Sequence, residues 1–146
     1  MTLAAAKKLH DPAALSQQVK RMLADPKALA LTENFCAQWL GIQSFRTTQP
    51  DRRRFPEFTS SLRDAMFAET MTFFDAVIRQ NGALLDLIDS DYTFVNEELA
   101  KHYGLQEVKG KALQRVKLPD KNRGGLLCMG SVLPFNSYPL RTSPVL

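Results

Sequence analysis

Residues 60–81 hold the pattern that most limits how this chain can fold. Leu62, Met66, Thr70, Phe73 and Val77 recur at helical spacing, and Phe67, Phe74 and Ile78 widen the stripe. At about 100° per residue this set covers nearly half of a helix surface. A helix with so broad an apolar face must be wrapped by other elements, so it forms the centre of the core. Thr59 or Ser60 is placed to cap it, and Gly82 to end it near Asn81. Asp75 and Arg79 fall four apart on the outer face, as an ion pair. Glu69 falls at the edge of the stripe, beside Leu62 and Phe73. Two readings of it stand: a partly buried carboxylate that binds a ligand or holds a catalytic group, or a flanking salt bridge to an arginine of another element.

Two shorter helices precede it. Asp11-Pro12 is a start signal, a capping carboxylate followed by a residue that has no N–H to leave unpaired. Leu15, Val19, Met22 and Leu23 follow at helical spacing, and the helix stops near Ala24. Asp25-Pro26 repeats the signal. The second apolar set is Leu29, Leu31, Phe35, Cys36, Trp39 and Leu40, stopped by Gly41. Residues 42–59 read as a loop punctuated by Pro50 and Pro56, with Phe55 and Phe58 anchoring it on the core. Residues 83–88 read as a short helical turn or a buried connector.

Composition narrows the classes. A chain of 146 residues is one domain by length and can bury roughly 70% of its unfolded surface. No apolar run approaches the roughly 18 residues that a membrane span needs. The N-terminal segment has lysines but no long apolar centre, so it carries no export signal. The 19 basic and 15 acidic residues leave a net charge of only +4. The tightest basic cluster, Arg52 to Arg54, reads as a solvated loop without interleaved base-stacking aromatics, so no nucleic acid is expected. Cys36 and Cys128 form no haem-attachment or zinc pattern and read as small buried side chains.

The densest chemistry lies at residues 91–104. Thr93 or Asn96 can cap a short helix that ends at Tyr103, with Gly104 as its left-handed stop. On it Glu97 pairs with Lys101, and Glu98 with His102, each four apart. Glu98 and His102 could share an ion, but two ligands do not make a metal site, and none is assigned. Ser131, Ser137 and Ser143 lack any nucleophile-elbow motif, so a triad with His102 is not supported. Arg123-Gly124-Gly125 has the ingredients of an anion cradle, against the plainer reading of a glycine turn. A short strand is expected at residues 113–118, and Pro134, Pro139 and Pro144 keep the last dozen residues extended.

Six stretches taken together resemble one family: RMLADPKALALTENFCAQWL, PDRRRFPEF, LRDAMFAETMTFF, DYTFVNEELAKHYG, RGGLLCMGSVL and RTSPV. They are similar to the uncharacterised planctomycete cytochrome-associated proteins, whose adjoining domains of unknown function are numbered fifteen-ninety-two and fifteen-eighty-eight. The resemblance runs from about Leu15 to Val145. It implies a large, exported, multidomain protein of the periplasm or cell envelope that often carries a c-type cytochrome module. Such proteins continue past the point where this chain ends, so the chain is read as truncated at its C-terminus. With no haem motif here, the chain has no cofactor of its own, and haem c belongs to a separate domain.

The expected fold is mainly α. Three longer helices pack as an irregular bundle, followed by short helices, a short strand and an irregular C-terminal third. Residues 1–146 form a single helical domain, with a helical core at 1–104 and an irregular part at 105–146 that begins an adjoining module. Two functions are expected. The first is a module supporting a redox or carbohydrate-related activity. Its catalytic candidates are Glu69, Glu97 and His102, and its substrate-binding candidates are Asn96, Tyr103, Arg123, Arg141 and Ser143. Carboxylate and imidazole would manage protons while arginines hold the substrate. The second is a non-catalytic interaction module that docks other domains of the parent protein.

Overall fold

A computed structural model describes residues 2–5, 7–80, 82–105, 108–120 and 123–136. The fold is mainly α. After a single helical turn at Thr2–Ala5, its helices are α1 (Pro12–Ala24), α2 (residues 26–39), α3 (Ser60–Arg79) and α4 (Glu97–Tyr103), with strands β1 (Tyr92–Val95) and β2 (Gln114–Lys117). Short 3₁₀ turns occupy Ile42–Thr47, Leu84–Leu87 and Leu126–Cys128.

The long helix is the post expected from its stripe. Thr59 caps it, its hydroxyl accepting from the Leu62 N–H at 2.9 Å. Leu62, Met66, Thr70, Phe73 and Val77 are all buried, and Phe73 and Thr70 are fully enclosed. The Asp75–Arg79 pair forms at 2.8 Å.

The first two helices start where their caps place them. The Asp11 and Asp25 carboxylates accept from the Ala13 and Lys27 N–H groups. What they do with their apolar faces differs. No residue of α1 is buried. Leu15, Val19 and Met22 stand about half exposed, so α1 adds no core. Helix α2 begins as a 3₁₀ turn and widens into a π turn at Thr32–Cys36, which nothing in the sequence marks. That turn meets α3: Cys36 is fully buried and the Thr32 hydroxyl donates to Asp75 at 3.1 Å. Gly41, at φ 70°, ends the run in the left-handed region that glycine tolerates.

The connectors differ in part from expectation. Residues 42–59 are not all open loop, because Ile42 and Phe45 fold in as a 3₁₀ turn and are buried. Phe45 packs edge-on to Phe58, while Phe55, expected to anchor the loop, is half exposed. Of the two readings of residues 83–88, the short helical turn holds, at Leu84–Leu87, and the buried connector fails: Leu84, Leu85 and Ile88 are the most exposed large apolar side chains among the described residues.

The strand expected near 113–118 is β2. Its partner lies where only a helix cap was foreseen. β1 pairs with β2 antiparallel, with Tyr92 opposite Lys117 and Val95 opposite Gln114. Alternation sends Thr93 and Val95 inward and leaves Tyr92 and Phe94 half-buried. On the outer face the Arg115 guanidinium lies 3.7 Å from the Tyr92 ring centre, on the strand diagonal two residues from Lys117, the partner of Tyr92. Past β2, Leu126, Met129 and Val132 join the same apolar cluster as α3.

Candidate functional site

Glu69 is the chemical centre of the molecule. Its place on α3 leaves it 1% exposed, inside the core rather than at its edge. Two elements bring hydroxyls to it. Thr93 faces inward because of the β1 alternation, and its hydroxyl donates to Glu69 Oε1 at 2.5 Å. Tyr103 is the last residue of α4, which Gly104 stops at φ 70°, and its phenol donates to Glu69 Oε2 at 2.7 Å. The Tyr103 oxygen in turn accepts from the Gly130 N–H at 2.9 Å. The Arg123 guanidinium stacks 4.0 Å from the centre of the Tyr103 ring.

The electrostatics follow from that enclosure. Burial penalises the charged carboxylate and pushes Glu69 from 4.5 up to about 7, against the opposing pull of the Thr93 and Tyr103 hydroxyls and the Arg123 charge. Burial, together with the neighbouring Glu69, holds the Tyr103 phenol well above its ordinary range, so it stays protonated. The salt-bridge reading of Glu69 needs correcting, and so does its expected depth. It is buried more deeply than a stripe-edge carboxylate, and among the described residues it makes hydroxyl bonds and no salt bridge to an arginine. Among the described residues, Arg123 reaches it through space, across the Tyr103 ring.

The other candidates sit elsewhere. Asn96 caps α4, its side chain accepting from the Leu99 N–H at 2.9 Å. Glu97 accepts from the Gly110 N–H at 2.8 Å, and Glu98 accepts from the hydroxyls of Thr59 and Ser61. The expected pairs of Glu97 with Lys101 and Glu98 with His102 are not formed, because both carboxylates are taken by groups from outside α4. Asn96 and Glu97 line an open groove of about 1090 Å³ with Ser60, Asp64, Lys101 and Lys111. His102 is exposed and lines a hollow of about 320 Å³ with Glu57 and Leu62, which adjoins the groove through Glu98 and Lys101. Glu69 lines neither. Arg141 and Ser143, with Ser137, lie outside the described residues.

Three further readings resolve. The anion cradle gives way to the glycine turn. Gly125 sits at φ 78°, its N–H donates to the Ser90 hydroxyl, and a Cβ there would strike the Ile88 carbonyl. A Cβ at Gly124 would stand 2.6 Å from the Ser90 carbonyl oxygen. Ser131 is fully buried, 2.6 Å from the Thr70 hydroxyl, and so is no nucleophile for the exposed His102. Both cysteines are free thiols. Burial pushes Cys36 up to about 12, which keeps it inert, and Cys128 is only partly buried. No group of three or more metal-ligating side chains occurs among the described residues.

Sequence reasoning missed Thr93 as a Glu69 partner, and the Thr70–Ser131 bond. The alternation of Tyr92, Thr93, Phe94 and Val95 was the signal for the first: read as a strand, it turns Thr93 inward. The second had no local signal.

Fold and site together define a mainly α domain built on one long helix, with a hydroxyl-held carboxyl group sealed inside it. The chain belongs to the family described as PSD4, Protein of unknown function (DUF1592), whose model matches residues 1–105. No curated protein and no solved structure matches it.

Proposed function

We propose that this chain is a non-catalytic docking module of a larger protein of the periplasm or cell envelope. It holds other domains of that protein in place beside a c-type cytochrome module. The haem c lies in that separate domain, and this chain carries no cofactor of its own. The observation that carries the reading is the outward aromatic face of α2. Phe35 and Trp39 are each more than half exposed, yet they are ordered as a stacked pair, ring centres 6.0 Å apart. Both also contact the buried Phe74, at 6.1 and 6.3 Å. A rigid aromatic pair backed by a core residue is the kind of anchor on which interfaces concentrate their binding energy. Leu31, half exposed four residues before Phe35, extends the same face.

The redox or carbohydrate-active reading needs the candidate polar groups in one pocket. The described ones divide between the sealed Glu69 cluster and an open groove at Asn96 and Glu97, which adjoins the hollow at His102 through Glu98 and Lys101. Most are also engaged by protein partners. Docking is therefore the better supported of the two.

The test is a binding titration of this chain against the cytochrome-bearing domain and against each other domain of the parent protein, with wild type and Trp39→Ser. Saturable binding to one of them, weakened roughly tenfold or more by the substitution, is the expected result for an anchor residue. Absence of binding to every domain, or equal binding by Trp39→Ser, overturns the proposal.

A further inference from the structure

Residues 126–132 form a strap across α3 at the level of Glu69 and Thr70. Its start is fixed, because Gly124 and Gly125 pack on the backbone of residues 88–90 with no room for a side chain. Its underside is buried through Leu126, Met129 and Val132. Three polar contacts tie it down. Ser131 bonds Thr70 at 2.6 Å, Thr70 donates to the Met129 sulfur at 3.3 Å, and the Gly130 N–H donates to the Tyr103 oxygen at 2.9 Å. Tyr103 hands that last bond on to Glu69. The strap therefore closes the space around a carboxyl group that, among the described residues, has no cation in hydrogen-bond contact.

We propose that Glu69 is a charge-operated latch for this strap: neutral, it lets the strap seal dry over α3; ionised, it draws water into the core and favours opening of residues 126–132. The reason is the cost of enclosure. A carboxylate on a side chain only 1% exposed loses its hydration, and two hydroxyl donors replace only part of it. Lifting the strap returns water to the charge at the expense of the contacts of Leu126, Met129 and Val132. Among the described residues, the groups that face Glu69 are few. Thr93 on β1 does not titrate. Tyr103 on α4 stays protonated through the neutral range. Arg123, at the foot of the strap, supplies a fixed positive charge across the Tyr103 ring. The proton that moves thus belongs to Glu69, and its elevated titration through neutrality sets the range in which the latch works. Linkage gives the sign: the closed form binds the proton more tightly than the open, hydrated form, so opening rises with pH. The latch stands whether or not the α2 face docks a partner.

Amide hydrogen exchange of Gly130 and Val132 tests it, corrected for the intrinsic effect of pH on exchange. In wild type the opening constant rises on the order of tenfold between pH 5.5 and 8. In Glu69→Gln it stays flat over the same range. A flat profile in wild type, or a wild-type rise that survives in Glu69→Gln, overturns the latch. Wild type alone offers a second measurement, the carbon-13 titration of the Glu69 carboxyl. Its midpoint must lie well above the ordinary carboxylate range and coincide with the onset of strap opening. A midpoint in the ordinary range overturns the proposal. In Tyr103→Phe, which removes one donor to the charged form, that midpoint moves further up. No movement counts against the hydrogen-bonded arrangement on which the latch depends.

Discussion

Helices α1 and α3 carry apolar side chains at the same spacing, yet they end in opposite environments. Leu15, Val19 and Met22 of α1 stand about half exposed, while Leu62, Met66, Phe73 and Val77 of α3 are enclosed. Stripe width separates them. The α1 stripe is narrow, and a helix can lay so narrow a stripe along a surface without being covered. The α3 stripe spans nearly half the helix and can be satisfied only by wrapping. Helix α2 stands between them, with Cys36 and Ala37 packed inward and Phe35 and Trp39 facing out. Periodicity thus reports that a face is apolar. It does not report whether this fold or a partner covers it.

That contrast can be broken most forcefully at its buried end. Phe73→Ala empties a fully enclosed ring position on α3 and is expected to cost about 3–5 kcal/mol of unfolding free energy, read by denaturant titration. Met22→Ala on α1 is expected to stay within about 0.5 kcal/mol. Comparable losses at the two sites would erase the distinction.

The sealed carboxyl gives the next largest effect. The folded pKa of Glu69 is raised from 4.5 to about 7, so its contribution is fully present below pH 4.5 and is lost as pH rises through 7. The loss is on the order of 3 kcal/mol from a shift of this size. Unfolding of wild type and Glu69→Gln across this range should show the pH-dependent part in wild type only.

Backbone constraints rank third. Gly125→Ala places a side chain at φ 78° against the Ile88 carbonyl, and the backbone conformation alone costs about 1–3 kcal/mol. The clash adds to it. Gly110→Ala, at φ 90° but with open space around it, sharpens the comparison by isolating the conformational part. Fourth is Asn96→Ala, which removes the α4 cap and is expected to cost about 1 kcal/mol in thermal or denaturant unfolding.

Much of the helical frame was legible in single residues. Asp11, Asp25, Thr59 and Asn96 mark starts, and Gly41 and Gly104 mark stops, because caps are local chemistry that depends on few neighbours. The α3 stripe was legible because its width leaves one outcome. The β1 pairing was not. Each strand has four residues, and the partners lie 19 to 25 positions apart, so neither strand carries the reason for the other. The same holds for the Glu69 cluster, which draws Thr93, Tyr103 and Gly130 from three elements. Local pattern put Glu69 near the core, but its partners are fixed by tertiary packing. The i,i+4 pairs expected on α4 failed for a related reason. Thr59, Ser61 and Gly110 offered better donors to Glu97 and Glu98 than the exposed Lys101 and His102 did.

The chain contains a single tryptophan, Trp39, on the face held to await a partner. Its accessibility to acrylamide quenching, compared between this chain alone and the parent protein carrying its other domains at a matched single-tryptophan background, tests that claim most directly. Strong quenching in the chain alone and marked protection in the parent protein is the predicted result. Equal quenching in both would mean that the outward face of α2 is simply solvated, and the proposed docking role would fall.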